Sequence, residues 1–179
     1  VIYNPVRLFL EPSNEEINNA NSLWSCESGA RILTVGNLIS QKNYELLLRS
    51  FARINISNAR LMFVGDGNLR NSLNLLAQKL GIDNRVIFAG YQSNPTSFYK
   101  TADLFVLSSD YEGMSLVIVE ALSSGTPVVS TDCPSGPAEL LDYGRFGHLV
   151  PVGDEKSLAN GIIIELDSKV DKLSLIKRS

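Results

Sequence analysis

Residues 108–132 have the sequence S-S-D-Y-E-G-M-S-L-V-I-V-E-A-L-S-S-G-T-P-V-V-S-T-D, and this stretch decides the fold. An apolar strand at residues 104–107 runs into a turn that carries Glu112, and a helix is predicted to open near Ser115. A second apolar strand follows at residues 127–130. A strand, a helix and another strand in close succession predict a βαβ unit with parallel strands.

The rest of the chain repeats this alternation of short apolar strands and amphipathic helices. It predicts an α/β fold with a doubly wound, Rossmann-like parallel sheet that is covered by helices on both faces. Ligands are expected over the carboxyl ends of the strands. The predicted strands are residues 31–35, 60–64, 86–89, 104–107, 128–130 and 148–150.

Three helices can be placed from the spacing of their apolar side chains. Asn43 can cap the first, the second stops at Gly81, and the third lies near the end of the chain. Leucines at such spacing belong to a core rather than to a ligand site. The apolar positions are Leu46, Leu47, Phe51 and Ile54 in the first helix, Leu69, Leu73, Leu76 and Leu80 in the second, and Leu158, Ile162, Ile163 and Leu166 in the third.

Length and composition fit one globular domain and exclude several classes of protein. The chain has 179 residues, 44% of them hydrophobic, and a net charge of −3. Without a clustered basic stripe, a nucleic-acid partner is not expected. Two cysteines, Cys26 and Cys133, are too few for a disulfide framework and indicate free thiols in a reducing compartment. No apolar run reaches the roughly 18 residues of a membrane span.

Glu112 and Glu120, eight positions apart, are the candidates for chemistry in the deciding stretch. A rise of about 1.5 Å per helical residue places their carboxylates on the order of 10 Å apart along one wall of a cleft. The unpaired N–H groups at the start of the helix form an anion site between them. Carboxylates that accept hydrogen bonds from hydroxyls on either side of a phosphate suit a nucleotide sugar.

The same block resembles the signature of retaining glycosyltransferases with the GT-B fold, of the large family four. That signature is E-x7-E, followed here by A-L-S-S-G-T-P-V-V-S-T-D. An E-x7-E pair alone occurs in many unrelated helices, but the resemblance covers residues 1–166 through four further landmarks in the family order. These are V-G-N-L-I-S-Q-K-N at 35–43, F-V-G-D-G-N-L-R at 63–70, V-I-F-A-G-Y at 86–91 and A-D-L-F-V-L-S-S at 102–109.

The resemblance implies that the chain is the C-terminal, nucleotide-sugar-binding half of a longer enzyme. It begins with V-I-Y-N-P-V, which in the family belongs to the hinge that leaves the N-terminal acceptor domain. Residues 1–28 are then an irregular hinge or linker from that missing domain, residues 29–166 the donor-binding domain, and residues 167–179 a C-terminal helical tail. The tail suits either a solvated helix or contact with a membrane surface, since it carries Lys169, Lys172, Lys177 and Arg178.

The family pattern also implies roles for residues of this chain. Glu112 matches the glutamate near the transferred sugar and is the catalytic candidate, while Glu120 matches the ribose anchor. Residues 113–115, namely Gly113, Met114 and Ser115, would offer backbone N–H groups to sugar or phosphate, although the family often has an aromatic residue in place of the methionine. The other donor-binding candidates are Gly36, Asn37 and Lys42 in the first β–α loop, and Tyr91, whose backbone lies either beside the base or in a surface turn.

Asn37 departs from the family, which has an arginine there in addition to the lysine that this chain keeps as Lys42. Loss of one charged hydrogen bond in a partly dry site weakens phosphate binding by roughly 1.5–3 kcal/mol unless another group replaces it. No metal and no cofactor are expected. The nearest approach to a metal-binding Asp-x-Asp motif is Asp110-Tyr111-Glu112, whose glutamate is already assigned to the sugar.

Other motifs support weaker alternatives. Gly65-Asp66-Gly67 follows a strand, but Arg70 stands where a dinucleotide fingerprint needs its third glycine. A tight turn that lets the substrate approach the backbone is therefore preferred. Glu139 suits a helix start. His148, the sole histidine, lies on a predicted strand and completes no Ser-His-Asp or Cys-His set, so a core or edge role is expected.

The resemblance implies transfer of an N-acetylhexosamine or hexose, with retention, from a UDP-sugar rather than a GDP-sugar donor to a lipid-linked saccharide. C-P-S-G-P-A-E-L-L at residues 133–141 is similar to bacterial O-antigen and capsule enzymes, which implies the cytoplasm or peripheral contact with the inner face of the cell membrane. Two alternatives stay open. One is a sugar-nucleotide 2-epimerase of the same architecture, and the other is a non-catalytic nucleotide-binding module, which Asn37 favours.

Overall fold

The computed structural model describes residues 11–25, 28–168 and 172–178. The strands are β1 (Arg31–Val35), β2 (Arg60–Val64), β3 (Val86–Gly90), β4 (Leu104–Leu107), β5 (Val128–Thr131) and β6 (His148–Val150). They form one sheet with the order β3-β2-β1-β4-β5-β6, in which all paired neighbours are parallel. The predicted parallel sheet and its six strands are confirmed, and β3 and β5 each extend one residue further than predicted.

Eight α-helices connect and cover the strands within the described residues. They are α1 (Asn14–Leu23), α2 (Tyr44–Ala52), α3 (Arg70–Lys79), α4 (Thr96–Thr101), α5 (Leu116–Ser123), α6 (Pro137–Leu140), α7 (Glu155–Asp167) and α8 (Lys172–Arg178). Helix α5 begins directly after Ser115, and Glu139 lies in the first turn of α6. These positions, and those of α2, α3 and α7, confirm the predictions from apolar spacing and capping.

Each face of the sheet has its own core, because successive strand residues point to opposite faces. On one face, Ile32 and Val106 pack with residues of α2, α3 and α7. On the other face, Leu33 and Phe105 pack with residues of α1, α4, α5 and α8. A strand that is buried on both faces needs apolar residues at consecutive positions, which explains the apolar runs. The doubly wound arrangement is confirmed.

Asn43 caps α2 as predicted. Its backbone is left-handed, with φ +43°, and its side-chain Oδ1 accepts the Leu46 N–H at 3.2 Å. Asparagine tolerates this conformation better than most residues do. The cap fixes where the loop after β1 ends, and Lys42 is the residue immediately before it.

The irregular structure predicted for residues 1–28 is wrong where that stretch is described. Helix α1 begins with a capping box, in which Ser13 Oγ accepts the Glu16 N–H and the Glu16 carboxylate accepts the Ser13 N–H. Trp24, just after α1, is completely buried, and its Nε1 donates to Thr101 Oγ1 at 3.1 Å. The polar composition suggested a linker, whereas S-x-x-E was the signal that predicts a helix start. The hinge role of this stretch stays a prediction.

The C-terminal tail is helical over α8, but it is not simply solvated. Leu175 is buried with residues of α5 in the second core, and Arg178 donates to the Glu139 carbonyl at 2.8 Å. Lys169 lies outside the described residues. None of the helices in the described ranges combines the length and the apolar character that crossing a membrane requires.

Candidate active site

The sheet order determines where a ligand can bind. Strands β1 and β4 lie side by side in the sheet, but the chain leads from β1 to β2 on one side and from β4 to β5 on the other. In doubly wound sheets the loops that leave such a pair separate at the carboxyl ends and open a crevice for ligands. The loop after β1 carries Gly36, Asn37 and Lys42, and the loop after β4 carries Glu112. The predicted residues of both loops therefore lie at this switch point.

Lys42 and Glu112 form an ion pair across the crevice. Lys42 Nζ lies 2.7 Å from Glu112 Oε1, and the two side chains are only 14% and 6% exposed. Ser109 Oγ donates to the same carboxylate oxygen at 2.5 Å. A carboxylate this well buried needs such partners, because an unpaired buried charge is costly. Lys42 thus belongs to a polar cluster and is not an ordinary surface lysine.

Gly36 lies beside this pair. A Cβ at this position would lie 3.0 Å from the Tyr44 hydroxyl and 3.4 Å from Lys42 Cε, and the backbone has φ +150°. A side chain here would press on the lysine that holds Glu112. Burial raises the pKa of Tyr44 above its usual range, so its hydroxyl stays neutral next to the pair.

Hydrogen bonds join the loop after β1 to the loop after β4. Ser108 Oγ donates to the Lys42 carbonyl at 2.8 Å, and the Asp110 N–H donates to the Gln41 carbonyl at 3.0 Å. Asn43 Nδ2 donates to Asp110 Oδ1 at 2.7 Å. Sequence analysis missed Ser108 and Gln41, because single polar residues in loops give no periodic signal. The position of Ser108 directly after β4 was the available signal, whereas Gln41 lies six residues beyond β1 and gave none.

Glu120 lies in the second turn of α5, as predicted, and contacts α4. The Tyr99 hydroxyl donates to Glu120 Oε2 at 2.8 Å. Burial raises the pKa of Glu120, while burial and the neighbouring Glu120 charge raise the pKa of Tyr99. The phenol is therefore a neutral donor, and the carboxyl is protonated more easily than usual. Tyr99 was not predicted as a site residue, since its position among core residues gave it no polar role.

Gly113 and Met114 border a cavity just before α5, and Ser115 follows them. Ser115 is buried, and in the described part of the chain its Oγ has no hydrogen-bond partner. Met114 is partly exposed. The cavity has a volume of about 570 Å³ and is lined by Gly113, Met114, Ser135, Gly136, Glu139, Leu140 and Arg178.

Tyr91 and Asn37 have exposed side chains. Tyr91 is 75% exposed and follows β3, which is an edge strand of the sheet. In the sheet, β2 and β1 lie between β3 and β4. The loop that carries Tyr91 is therefore three strand positions away from the loop that carries Glu112. The structure does not bring it to the Lys42–Glu112 pair.

Gly65 and Gly67 make room for the chain itself, which corrects the prediction that substrate approaches the backbone there. Gly65 has φ +140°, and a Cβ on it would overlap the Gly36 carbonyl oxygen. A Cβ on Gly67 would lie 2.5 Å from the Leu38 carbonyl oxygen. The loop after β1 already fills this space, so these glycines let the loop after β2 support the Gly36 side of the crevice.

The sole histidine and the two cysteines were not expected to form a catalytic set. His148 is half-buried on the edge strand β6, in agreement with the expected edge role. Cys133 is a buried free thiol, and Cys26 lies outside the described residues. Among the residues that the structure describes, no three or more His, Cys, Asp or Glu side chains are arranged to hold a metal ion.

A parallel sheet of this order, with a polar cluster at its switch point, defines a doubly wound α/β domain with a ligand crevice. The profile of the family described as "Glycosyl transferases group 1" matches residues 19–178. The chain belongs to this family.

One relative by sequence and two solved structures are similar to the chain and agree with its membership of this family. The chain is 36% identical over 142 residues to N-acetylgalactosamine-N,N'-diacetylbacillosaminyl-diphospho-undecaprenol 4-alpha-N-acetylgalactosaminyltransferase of Campylobacter jejuni, with 79% of this chain and 38% of that protein covered. The apo form of the lipopolysaccharide outer core galactosyltransferase WaaB has a TM-score of 0.81 at 26% identity, with 99% of this chain and 50% of that chain covered. Anabaena Alr3699/HepE in complex with UDP and glucose has a TM-score of 0.78 at 26% identity, with coverage of 92% and 46%.

These likenesses confirm the fold of one half of a GT-B glycosyltransferase. The chain spans half or less of the length of each of these relatives. Family and fold are therefore properties of this domain, while the roles of its individual residues stay predictions.

Proposed function

We propose that this chain is the donor-binding half of a glycosyltransferase and holds a nucleoside diphosphate sugar at the switch point between β1 and β4. The observation that carries the proposal is the buried Lys42–Glu112 pair at the carboxyl ends of these adjacent strands. A diphosphate needs a cation and N–H donors, whereas sugar hydroxyls need acceptors. The crevice offers both kinds of group in one cluster.

Lys42 acts on the leaving diphosphate in this proposal. An ammonium has three donors, and Glu112 Oε1 takes one of them, so the same group can also bind a phosphate oxygen. The backbone N–H groups of residues 113–115, which lie just before α5, and the positive end of the α5 dipole add a partial positive charge. Together they stabilise the charge that develops on the diphosphate as the bond to the sugar breaks, so this chain supplies electrostatic stabilisation from its own groups.

Glu112 and Glu120 act as acceptors for hydroxyl groups. Glu112 is held by Lys42 and Ser109 and is the group assigned to the transferred sugar. Glu120 is assigned to the ribose, because Tyr99 holds Oε2 and leaves Oε1 for a diol.

Three further residues complete the proposed donor site. In the proposal a phosphate lies near the backbone of Gly36, where a side chain would press on Lys42, and the exposed Asn37 offers an amide N–H in place of the family arginine. Tyr91, at the end of β3, places its backbone beside the base. The nucleotide would then extend from the switch point toward the β3 edge of the sheet.

We infer a UDP-linked hexose or N-acetylhexosamine as the donor and a lipid-linked saccharide as the acceptor, with retention. The Anabaena relative has a structure with UDP and glucose, and the Campylobacter relative is named for transfer to a saccharide on diphospho-undecaprenol. The acceptor would bind to an N-terminal domain of the whole enzyme. Surface-polysaccharide synthesis at the cytoplasmic face of the membrane, with peripheral contact, fits these chemistries.

Asn37 favours a second candidate, a nucleotide-binding module without catalysis. With an amide in place of the arginine, Lys42 is the only described Lys or Arg in the loops that directly follow β1 and β4. A site with one cation stabilises less charge on a leaving diphosphate than a site with two. Such a site can still bind a nucleotide in its ground state.

Calorimetry on the 179-residue chain tests donor binding directly. UDP should bind at submillimolar to millimolar concentrations and more tightly than GDP, and no sugar should be transferred by this chain alone. No detectable heat with either nucleotide at millimolar concentration would contradict the proposal.

The full-length protein that contains this chain separates the remaining candidates. Incubation with UDP-sugars and a lipid-linked saccharide should give a glycosylated acceptor. An altered sugar released without acceptor would instead identify an epimerase, and nucleotide binding without any turnover would identify the non-catalytic module.

A further inference from the structure

We propose that the turn after β5, residues 133–136, positions the donor loop at residues 113–115, and that Gly136 is the residue through which it does so. The proposal rests on the proposed function, because that function assigns the donor loop to the sugar or phosphate. Gly136 is a positioning residue in this sense, since it acts on a backbone group that contacts the donor.

Gly136 lies directly against the donor loop. A Cβ on Gly136 would lie 3.1 Å from the Gly113 carbonyl oxygen and 3.6 Å from both the N and the Oγ of Ser115. Two residues earlier, the Pro134 carbonyl accepts the Glu112 N–H at 3.4 Å. The two loops therefore meet backbone to backbone, an approach that favours a residue without a side chain.

The turn has an unusual backbone conformation that is fixed at both ends. Ser135 has φ +66° and Gly136 has φ +122°. A non-glycine residue at positive φ is uncommon and persists where the surrounding structure imposes it, often at functional sites. Before the turn, Thr131 Oγ1 donates to the Ser109 carbonyl at 2.7 Å, and after it, the Leu140 N–H donates to the Gly136 carbonyl at 2.9 Å.

The contact controls the direction of a donor N–H through the planarity of the peptide group. The Gly113 carbonyl and the Met114 N–H belong to one peptide plane, so a displacement of the first turns the second. At 3.1 Å, a methyl group on Gly136 would push the Gly113 oxygen by a few tenths of an ångström. A preorganised N–H group stabilises a developing charge only when it points at that charge. The turn after β5 therefore determines the direction in which the Met114 N–H points.

The test compares Gly136→Ala with Gly144→Ala and Gly81→Ala in the full-length protein that contains this chain. All three glycines have positive φ, but a Cβ on Gly144 or Gly81 meets no atom within 4 Å. All three variants place a side chain at positive φ, with more strain at Gly136 (φ +122°, ψ −57°) than at Gly81 (φ +69°), and only the first touches the donor loop. Melting temperatures should fall in all three variants and most in Gly136→Ala, whereas kcat for sugar transfer, measured below the melting transition, should fall by about tenfold or more in Gly136→Ala alone, with a smaller change in KM for the UDP-sugar.

A kcat for Gly136→Ala within about twofold of both control variants would overturn the positioning role. If Gly136→Ala does not fold, Pro134→Gly loosens the same turn at an exposed position and should lower kcat, with only a modest fall in melting temperature because glycine gives the unfolded chain more freedom. An unchanged kcat in that variant would overturn the proposal equally. UDP binding by the unmodified protein distinguishes failure of the positioning role from failure of the proposed function, because only the proposed function is contradicted when UDP does not bind.

Discussion

Glu112 and Glu120 belong to one sequence motif, yet the structure gives them opposite surroundings. Glu112 contacts the Lys42 ammonium and the Ser109 hydroxyl. Glu120 contacts the neutral phenol of Tyr99, and burial raises its pKa. The first carboxylate is held by a charge, and the second by a polar group in an apolar setting.

This difference matches the two roles proposed for the motif. In the proposed site, the Lys42 ammonium that holds Glu112 is shared with a phosphate of the ligand. A carboxylate with a phenol partner binds a diol by hydrogen bonds and responds more strongly to pH. Variants on the two sides should therefore fail in different ways.

Lys42→Ala should have the largest effect. Removal of the cation leaves Glu112 buried without its charge partner, which should lower the free energy of unfolding by about 3–5 kcal/mol. UDP binding should be lost as well, because no other cation lies in the loops that directly follow β1 and β4 among the described residues. Urea unfolding and calorimetry measure the two effects.

Lys79→Ala is the matched control for this variant, since Lys79 is exposed at the end of α3. Combining Lys42→Met with Glu112→Gln should recover part of the lost stability, with a coupling of about 0.5–3 kcal/mol, but not UDP binding. Equal stability of Lys42→Ala and Lys79→Ala would show that the ion pair does not hold the two loops.

Glu120→Gln should weaken UDP binding by about tenfold while leaving pyrophosphate binding unchanged, because it removes a charged hydrogen bond to the ribose and none to phosphate. Glu165→Gln is the control, since Glu165 is another partly buried glutamate whose pKa is raised by burial. Equal loss of UDP and pyrophosphate binding in Glu120→Gln would contradict the ribose assignment.

Asn37→Arg should produce a smaller gain. A second cation in the loop after β1 should tighten UDP binding by roughly threefold to tenfold, since a charged hydrogen bond replaces a neutral one. The gain should shrink as salt is added, because the position is exposed. Unchanged affinity at low salt would place the phosphates away from this loop.

The pH dependence of stability should show the smallest effect. Since the pKa of Glu120 is raised in the folded protein, this group makes folding less favourable as pH rises from 4.5, its ordinary value, toward the raised value. The Glu120→Gln variant lacks this titrating carboxyl. The difference between its free energy of unfolding and that of the unmodified chain should therefore increase as pH rises across this range. A constant difference in urea unfolding from pH 4 to pH 8 would contradict the raised pKa.

The sequence predicted the sheet well because strands buried on both faces leave apolar runs that stand out along the chain. Helix α2 was equally visible through the Asn43 cap and its apolar stripe. Helix α1 was missed because its polar composition outweighed the S-x-x-E signal at Ser13. Strong local signals therefore gave correct elements, and weak ones did not.

The site was less predictable, because its contacts join residues that are far apart in the chain. The alternation of strands and helices predicts that Lys42 and Glu112 each lie in a loop after a strand. Their pairing depends on the sheet order, which places β1 beside β4. The same holds for Tyr99 with Glu120. Gly65 was misjudged, since a strained glycine looks the same in sequence whether it faces a ligand or another loop.

Amide chemical shifts of the labelled chain during a UDP titration test the switch-point site most directly. The largest shifts should fall at residues 36–43 and 112–116, with smaller ones near Tyr91. The competing location is a cavity of about 540 Å³ at the opposite ends of the strands, lined by Gly29, Asp103 and Glu165 among others. Shifts that cluster around that cavity, and leave residues 36–43 unchanged, would contradict the proposed donor site.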